Sequence, residues 1–223
     1  MNDSRADYLK AIYEESIDVG DGISTNRALS VRLQVSSASV SEMISKLTDL
    51  GLTETIPYKG CKLTQNGITE ALQIIRSHRL WEVFLIEHLN FTWSEAHEDA
   101  HLLEHATTKR MLDRLDEFLN YPKHCPHGSI IPKNETSLKK DGLKFKEELT
   151  TLNNLDIKKK AIVCKIVEEA KLLDYLWDLG LVVGKEIKII SKGEYEGTII
   201  LMQQNKEISI SYKAATKIYV KQI

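Results

Sequence analysis

The spacing of apolar residues divides the chain into a helical first part and a strand-forming end. Up to about residue 119, apolar side chains recur three and four positions apart, which is typical of amphipathic helices. After about residue 145, short alternating runs such as KEIKIIS and KEISIS are typical of strands. The pattern therefore predicts a mainly α-helical protein that ends in a small, five-stranded, barrel-like β domain.

The first segments predict a helix-turn-helix followed by a hairpin. A helix is predicted over residues 5–16, and a short helix, a tight turn and a longer helix follow between residues 24 and 50. Two short extended stretches then flank Lys59-Gly60, the predicted turn of a hairpin that would form a wing. The candidate caps of the helix pair are Thr25 or Asn26, Ser36 or Ser37, and Gly51.

Two longer helices are predicted over about residues 66–89 and 94–119. Proline and glycine residues then break the helical pattern. The stretch GSIIPKNETSLKKDGLKF is polar and weakly patterned, so we interpret it as a linker between domains.

Net charge, the N-terminal segment and the cysteines limit the partners and the cellular compartment that we expect for this protein. The 223 residues carry a net charge of −2, so no global basic field marks a nucleic-acid-binding protein, although a local excess can suffice. The polar start, MNDSRADYLK, lacks the apolar core of a signal peptide, and no apolar run is long enough to span a bilayer. Three scattered cysteines favour reduced thiols, so we expect a cytoplasmic protein.

The second helix of the helix-turn-helix presents small hydroxyls and charges that suit DNA. Small side chains let a helix lie deep in the major groove, and hydroxyls can bond to phosphates or base edges. Over residues 24–62, five basic residues oppose three acidic ones, and this local charge of +2 predicts weak binding by a monomer. A plain three-helix bundle with capping serines would show the same pattern. The candidate DNA-binding residues are Arg27, Ser36, Ser37, Ser39, Ser41, Glu42 and Lys46.

Histidines and carboxylates are concentrated on the two longer helices. The first carries a histidine and a glutamate one turn apart, and the second carries HEDAHLLEH, whose metal-binding side chains share one broad face. A cysteine and a histidine follow in the loop HCPHG. Mixed imidazole and carboxylate donors suit manganese, iron, zinc, nickel or cobalt. The candidate ligands from these segments are His78, Glu82, His97, His101, Glu104, His105, Cys125 and His127.

Two classes of enzyme share parts of this pattern. HEDAH matches the zinc-peptidase signature, in which both histidines bind one zinc ion and the glutamate is the general base. One extension of that signature needs glycine and histidine where the chain has Glu104 and Thr107, and the other needs a glutamate on a later helix, whereas Glu117 falls on the same predicted helix. A di-iron oxidase needs two Glu-x-x-His pairs, and the chain supplies one. We therefore expect no enzyme.

Together, DYLKAIYE, the winged helix-turn-helix, SHRLWEVFL, HEDAHLLEH and CPHGSIIP resemble the diphtheria-toxin-repressor family, most closely its manganese-responsive, three-domain branch. The resemblance spans nearly the whole chain. It implies a winged helix-turn-helix DNA-binding domain over 1–65, a helical dimerisation and metal-binding domain over 66–128, a linker over 129–144 and an SH3-like (FeoA-like) domain over 145–223. The implied function is a metal-activated homodimeric repressor that binds double-stranded operator DNA and controls metal-uptake genes, with no membrane partner and no small-molecule substrate.

The resemblance also implies how the ligands are shared between sites. One site would contain Asp7, His101, Glu104 and His105, and a neighbouring site would contain His78, Glu82 and His97. In the manganese branch, Glu82 is instead grouped with Cys125, His127 and an acid of the third domain, here Glu168 or the adjacent Glu169.

Departures from the iron-responsive type predict the metal. This chain has histidine at 101 and aspartate at 7, where the iron-responsive type has cysteine and methionine. Losing two sulfur ligands hardens the site and favours Mn²⁺, with Fe²⁺ or Zn²⁺ as alternatives and two or more ions per subunit. Lys10 replaces a further acid of two-domain manganese regulators, which argues against a binuclear centre of that kind. Activation of DNA binding by metal should weaken below about pH 6, because the histidine ligands become protonated. The other open hypothesis is a winged-helix regulator whose metal is purely structural.

Overall fold

The computed structural model describes residues 4–19, 22–133 and 149–223, and the chain divides into two units. The first unit contains residues 4–19, 22–77, 104–107 and 132–133 of that set, and the second contains 78–103, 108–131 and 149–223. Most of the predicted linker, residues 134–144, lies outside the described residues. Within the described ranges, no helix is both long enough and apolar enough to cross a membrane.

The first unit is built from three helices and a hairpin in the order that the sequence predicts. Its helices are α1 (Ser4–Val19), α2 (Asn26–Leu33) and α3 (Ser37–Asp49), and strands β1 (Thr53–Ile56) and β2 (Gly60–Leu63) pair antiparallel. Helix α4 (Gln65–Leu89) begins in this unit. The apolar faces meet in one core, in which Leu9, Ile12, Leu29, Val40 and Leu47 are fully buried. The predicted winged helix-turn-helix is therefore confirmed.

Side-chain caps fix the ends of the helix pair. The Thr25 hydroxyl accepts a hydrogen bond from the Ala28 amide at 3.1 Å, and the Ser36 hydroxyl accepts one from the Ser39 amide at 3.1 Å. Each cap satisfies an amide that the first helical turn leaves without a partner. At the end of α3, Gly51 adopts a φ of +70°. Of the alternative caps, the structure uses Thr25 and Ser36.

The predicted turn of the hairpin is wrong by two residues. The Lys59 amide bonds to the Ile56 carbonyl at 3.1 Å, so the turn is centred on Pro57-Tyr58. Proline presets the φ of the second turn position, and Tyr58 takes the positive φ, +61°, of the third. Gly60 belongs to β2 and pairs with Ile56.

The second unit begins with the rest of α4, followed by α5 (Trp93–Ala106), whose last residues from Glu104 belong to the first unit, and by α6 (Lys109–Phe118). The single helix predicted over 94–119 is therefore wrong, because the chain breaks before Thr108 and starts a new helix. The Thr108 hydroxyl accepts a hydrogen bond from the Met111 amide at 3.3 Å, which caps α6. Leu80, Val83, Ala96, Ala100 and Leu112 lie in the core of these helices.

The β-rich end forms one antiparallel sheet with the strand order β3-β8-β4-β5-β6-β7. The five predicted strands are present, and a two-residue strand, β3, is added at one edge. The elements are β3 (Thr150–Thr151), a 3₁₀ turn (Leu152–Asn154), β4 (Lys160–Ile166), α7 (Ala170–Leu179), β5 (Glu186–Lys192), β6 (Ile199–Gln203), β7 (Lys206–Ile210), α8 (Tyr212–Ala215) and β8 (Ile218–Gln222). Inward side chains of the strands and α7 form its core.

This β domain packs directly on the helical elements of the second unit. The Ile166 amide donates a hydrogen bond to the His127 carbonyl at 2.9 Å, and the Ser94 hydroxyl donates one to Asp174. Trp93 of α5 is buried in the core of the β domain, with its ring centroid 5.6 Å from that of Trp177. Backbone, polar and aromatic contacts together fix the position of the residues that follow β4.

Gly128 tests this packing, because its φ is +84° and a Cβ there would lie 1.8 Å from the Cys164 carbonyl oxygen. Gly184 has a similar φ, +79°, but a Cβ at that position would meet nothing within 4 Å, so Gly184→Ala is a matched control. We expect Gly184→Ala to lower the free energy of unfolding by roughly 1–2 kcal/mol, the strain of a left-handed residue. Gly128→Ala should lower the free energy of unfolding, measured with urea, clearly more than Gly184→Ala does. Equal losses in the two variants would refute the close approach of Gly128 to the Cys164 carbonyl.

Candidate metal centres and DNA-binding helix

Six metal-binding side chains meet in the second unit, and we call them the buried cluster. They come from separate segments: α4, α5, the turn after α6, and the residues between β4 and α7. Amphipathic spacing places the α4 pair one turn apart on the same face. The members are His78, Glu82, His97, Cys125, His127 and Glu168.

One side of the buried cluster is formed by Glu82 and two imidazoles. Glu82 Oε1 lies 3.0 Å from His78 Nε2 and 3.0 Å from His97 Nδ1. The two ring nitrogens are themselves 3.1 Å apart. The Glu82 side chain is fully buried and that of His78 is 1% exposed, whereas that of His97 is 24% exposed, so solvent reaches this side of the cluster at His97.

The other side is formed by the turn after α6 and by the β domain. Glu82 Oε2 lies 3.4 Å from His127 Nδ1, and that nitrogen lies 4.0 Å from Cys125 Sγ. Glu168 Oε1 is 3.9 Å from Cys125 Sγ and accepts a hydrogen bond from the Ser129 hydroxyl at 2.9 Å. Ser129 was not singled out by the sequence, although it follows directly after CPHG.

Hydrogen bonds within the turn aim its side chains inward. The Gly128 amide bonds to the Cys125 carbonyl at 2.9 Å, and the Cys125 amide bonds to the Ser129 carbonyl at 2.8 Å. Cys125, His127 and Ser129 are all buried as a result. The ring of Trp93 packs edge-on to that of His127, with the centroids 5.5 Å apart, and helps to hold its orientation.

Neighbouring charges decide which members of the buried cluster are ionised. Burial alone would raise the pKa of Glu82, but the imidazoles of His78 and His127 hold that pKa well below its usual range. Burial opposes the charged form of His127, yet Glu82 raises the pKa of His127 well above its usual value. Burial and Glu82 raise the pKa of the Cys125 thiol. The pKa of Glu168 is lowered because Arg79 and the imidazoles outweigh burial and the charge of Glu82.

The structure also decides between the two candidate acids of the third domain. Glu168 belongs to the buried cluster. Glu169 is exposed, precedes α7 and forms an ion pair with Lys217. Glu168 is therefore the acid that the fold places beside Cys125 and His127.

A second group of donors lies in the first unit, and we call it the α5 cluster. It comprises Asp7 of α1 with Glu104 and His105 of α5. His105 Nε2 is 3.1 Å from Asp7 Oδ1 and 3.7 Å from Glu104 Oε1. The other Glu104 oxygen accepts a hydrogen bond from the Lys10 ammonium at 3.1 Å, and the Glu104 side chain is fully buried. His101 lies one helical turn before His105 on α5.

The donor chemistry of both clusters fits a divalent transition metal. Buried carboxylates are found where they are paired or bind metals. Glu82 Oε2 is buried and accepts no hydrogen bond from any residue that the structure describes. Imidazole and carboxylate donors suit manganese or iron, and the Cys125 sulfur adds affinity for zinc.

The two histidines of HEDAH do not share a site. His97 belongs to the buried cluster, and among the described residues His101 is not part of that cluster. Glu98, which would be the general base of a peptidase, is exposed. In the part of the chain that the structure describes, the geometry required for a zinc peptidase is therefore missing.

The predicted DNA-binding residues lie on the exposed side of α3 and at the start of α2, but several already have partners. The Ser36 hydroxyl caps α3, and the Ser41 hydroxyl accepts from the Asn26 amide at 2.9 Å. Lys46 pairs with Glu42 at 2.7 Å, and this hydrogen bond and charge lower the pKa of Glu42. The other candidates, Arg27, Ser37 and Ser39, are exposed as well.

Ion pairs offset part of the positive charge that the sequence places in the winged helix-turn-helix. Besides the Glu42 pair, Lys62 lies 3.0 Å from Glu54, and Arg32 lies 2.5 Å from Glu14 and 3.2 Å from Glu15. Arg27 forms no ion pair with any residue that the structure describes. It is therefore the basic residue of the helix-turn-helix best able to meet a phosphate.

Comparison with known proteins gives three consecutive family matches. Residues 1–61 match the iron-dependent repressor N-terminal DNA-binding domain, and residues 64–133 match the iron-dependent repressor metal-binding and dimerisation domain. Residues 150–222 match the FeoA domain. A solved structure of ScaR with bound Zn²⁺ shares 36% identity, with a TM-score of 0.77 over 98% of this chain and 99% of that one.

The chain belongs to the diphtheria-toxin-repressor family. A manganese-dependent transcriptional repressor in complex with manganese is 28% identical, with a TM-score of 0.81 over 98% of this chain and 99% of that one. The diphtheria toxin repressor of Corynebacterium glutamicum is 25% identical over 97% of this chain and 95% of its own length. The iron-dependent repressors of Mycobacterium leprae and Mycobacterium tuberculosis match over 54% of their length. The family consists of transcriptional repressors, not enzymes.

The ion pair between Lys10 and Glu104 is the feature of the α5 cluster that the sequence did not reveal. Lys10→Met should destabilise the metal-free protein by about 3 kcal/mol, because it leaves a buried carboxylate without its ammonium. Arg5 offers a control, since its pair with Glu70 is exposed and 3.8 Å long. Arg5→Met should cost less than about 1 kcal/mol. Equal urea-unfolding energies for the two variants, measured with EDTA present, would contradict this view of the buried pair.

Proposed function

We propose that this protein is a metal-activated transcriptional repressor that responds to manganese, binds operator DNA as a homodimer and controls metal-uptake genes. The α5 cluster carries the proposal. Asp7 lies in the part of the chain that matches the DNA-binding domain, and Glu104 and His105 lie in the part that matches the metal-binding and dimerisation domain. These side chains approach to 3.1–3.7 Å.

An ion at the α5 cluster would therefore join the two domains. Asp7, Glu104, His105 and, from its place on α5, His101 are the proposed ligands. A bound divalent ion supplies positive charge that neutralises the clustered carboxylates. Fixing α1 against α5 fixes the winged helix-turn-helix, and the recognition helices of a dimer must lie about one turn of DNA apart. Binding of metal and of operator DNA would then strengthen each other by the same factor.

In the buried cluster, we propose that all six side chains are metal ligands. Glu168 connects the β domain to this site, so the ligands there span the packing between β4 and the turn after α6. The domain limits 1–65, 66–128 and 145–223 are part of the same proposal. Manganese is favoured at the α5 cluster because its donors are imidazole and carboxylate only.

Zinc or iron is the second candidate for the activating metal, and the Cys125 sulfur favours it. Cys125 gives the buried cluster a sulfur donor, which suits zinc or iron better than manganese. The solved relatives include a manganese complex, and ScaR has been solved with Zn²⁺ and with Cd²⁺. A zinc- or iron-responsive repressor is therefore the alternative function.

Removing one ligand of the α5 cluster should abolish activation without unfolding the protein. Asp7→Ala and Glu104→Ala should each lower manganese-stimulated DNA affinity at least tenfold, because the domains are no longer joined through an ion. Glu98→Gln, an exposed carboxylate on the same helix, should change nothing. Fluorescence anisotropy would use duplexes selected with the wild-type protein, at buffered levels of manganese, iron(II) and zinc.

Two outcomes of these titrations would contradict the proposal. Unchanged manganese stimulation in both ligand variants would exclude the α5 cluster as the activating site. DNA binding that persists in the wild-type protein after treatment with EDTA would favour a purely structural metal.

Arg27 should contact a phosphate, whereas the paired Arg32 should contribute less. We expect Arg27→Ala to weaken binding to all DNA sequences alike and to reduce the slope of log affinity against log salt by about 1 per subunit. Arg32→Ala removes a cation that already faces Glu14 and Glu15, so its effect on the slope should be smaller. A larger effect of Arg32→Ala would show that α2 is oriented differently on DNA.

A further inference from the structure

The β domain is basic, whereas the part of the chain that matches the DNA-binding domain is acidic. Residues 150–222 contain twelve lysines and nine acidic residues. Residues 1–61 contain six lysines and arginines against nine acidic residues. Because proteins gain much of their affinity for DNA from cations that meet phosphates, the net charge of the β domain suits DNA better than that of residues 1–61.

Five exposed lysines lie close together on the β domain, and we call them the lysine patch. The register pairs Lys160 of β4 directly with Lys188 of β5. On the other side of β4, Lys221 of β8 pairs with Ile162, two residues from Lys160, so the three lysines share the outward face of the sheet. Two further lysines come directly before β4, where backbone hydrogen bonds of 2.9 and 3.1 Å join the chain to β5. The members are Lys158, Lys159, Lys160, Lys188 and Lys221.

The charge of the lysine patch is largely not neutralised. Lys160 forms an ion pair with Glu186 at 2.6 Å, and the other four members form no ion pair with any residue that the structure describes. The next acid in the row of Lys188, Glu207, lies two strands away, at about 10 Å. Like charges directly opposite each other, as at Lys160 and Lys188, destabilise a sheet. An anion held against both lysines would remove this repulsion.

Protection of a sheet edge does not explain these lysines. Lysines on edge strands discourage pairing with the strand of another chain. In the order β3-β8-β4-β5-β6-β7, the edges are β3 and β7, whereas Lys160, Lys188 and Lys221 lie on inner strands. Their charge therefore points to a partner of the outward face and not to the edges.

We propose that the lysine patch binds the phosphate backbone of duplex DNA. Duplex DNA carries about one negative charge per 1.7 Å of its axis, so a patch that spans three strands, about 10 Å, faces several phosphates. Lysine contacts to phosphates carry no sequence information, so the patch would strengthen binding to any duplex. The inference rests on the proposed function only in that DNA is the partner, and it adds a second DNA-binding surface beside the winged helix-turn-helix.

The salt dependence of DNA binding tests the lysine patch in the whole chain. We expect Lys188→Gln/Lys221→Gln to reduce the slope of log affinity against log salt by about 2 per subunit, because two phosphate contacts are lost. Lys171→Gln/Lys213→Gln is the matched control. It removes the same charge from α7 and α8, where both lysines are exposed and form no ion pair with a described residue, and should leave the slope unchanged. Fluorescence anisotropy would use the selected duplex with manganese and an unrelated duplex with EDTA.

Lysine acetylation of the unaltered protein is a second measurement that needs no variant. Acetylation rates, read by mass spectrometry, would be compared with and without the duplex. DNA should slow the acetylation of Lys188 and Lys221, because phosphates cover their ammonium groups, and should leave Lys171 and Lys213 unchanged.

Three outcomes separate this proposal from its alternatives. Equal slopes for the two double variants, or equal acetylation with and without DNA, would overturn it even if manganese still stimulates DNA binding. Protection of Lys188 that needs no DNA and increases with protein concentration would assign the patch to a second copy of the chain, and would overturn it as well. Conversely, a slope reduced only by Lys188→Gln/Lys221→Gln, in a protein whose DNA binding ignores metal, would support the patch and overturn the proposed function alone.

Discussion

The ionised carboxylate of Glu82, buried where the helices of the second unit meet its β domain, is the constraint on which much of that unit depends. A buried charge is costly unless partners surround it. Its partners come from α4 itself, from α5 and from the turn after α6, as His78, His97 and His127. Keeping one carboxylate charged therefore brings three segments of the chain to a single point. The low pKa of Glu82 and the high pKa of His127 are two views of the same interaction.

The same point also holds the β domain. Glu168 reaches the buried cluster from the end of β4, where Ser129 donates to it and the Ile166 amide bonds to the His127 carbonyl. Packing of Trp93 in the core of the β domain adds an apolar contact beside these polar ones. Residues of the buried cluster and residues that pack on the β domain thus alternate along the segment from Cys125 to Ser129. Any change in the charge of the buried cluster acts on the packing of the β domain as well.

Local signals explain which parts of this protein could be predicted from its sequence. Caps such as Thr25 and Ser36 act within one helical turn, and the donors on α4 and α5 repeat at helical spacing. The break before α6 was missed because apolar spacing continues across it, and the deciding hydrogen bond involves one hydroxyl, that of Thr108. The turn at Pro57-Tyr58 was missed because glycine is the usual residue with positive φ, yet here a tyrosine adopts it. The pair Lys10–Glu104 joins residues 94 positions apart, which no local pattern reveals.

That pair also separates the two clusters in their expected response to metal. In the α5 cluster, one Glu104 oxygen already faces the Lys10 ammonium. A bound ion therefore stabilises Glu104 only by the amount by which its attraction exceeds that of the ammonium. In the buried cluster, Glu82 Oε2 faces the His127 imidazole at 3.4 Å but accepts no hydrogen bond from the described residues, so an ion would satisfy that oxygen more fully. The smaller stabilisation by a bound ion is therefore expected at the α5 cluster, which joins Asp7 to α5. Within the proposed function, a site that responds only when the metal is abundant is the one suited to control DNA binding, and a site that fills readily is suited to hold the β domain in place.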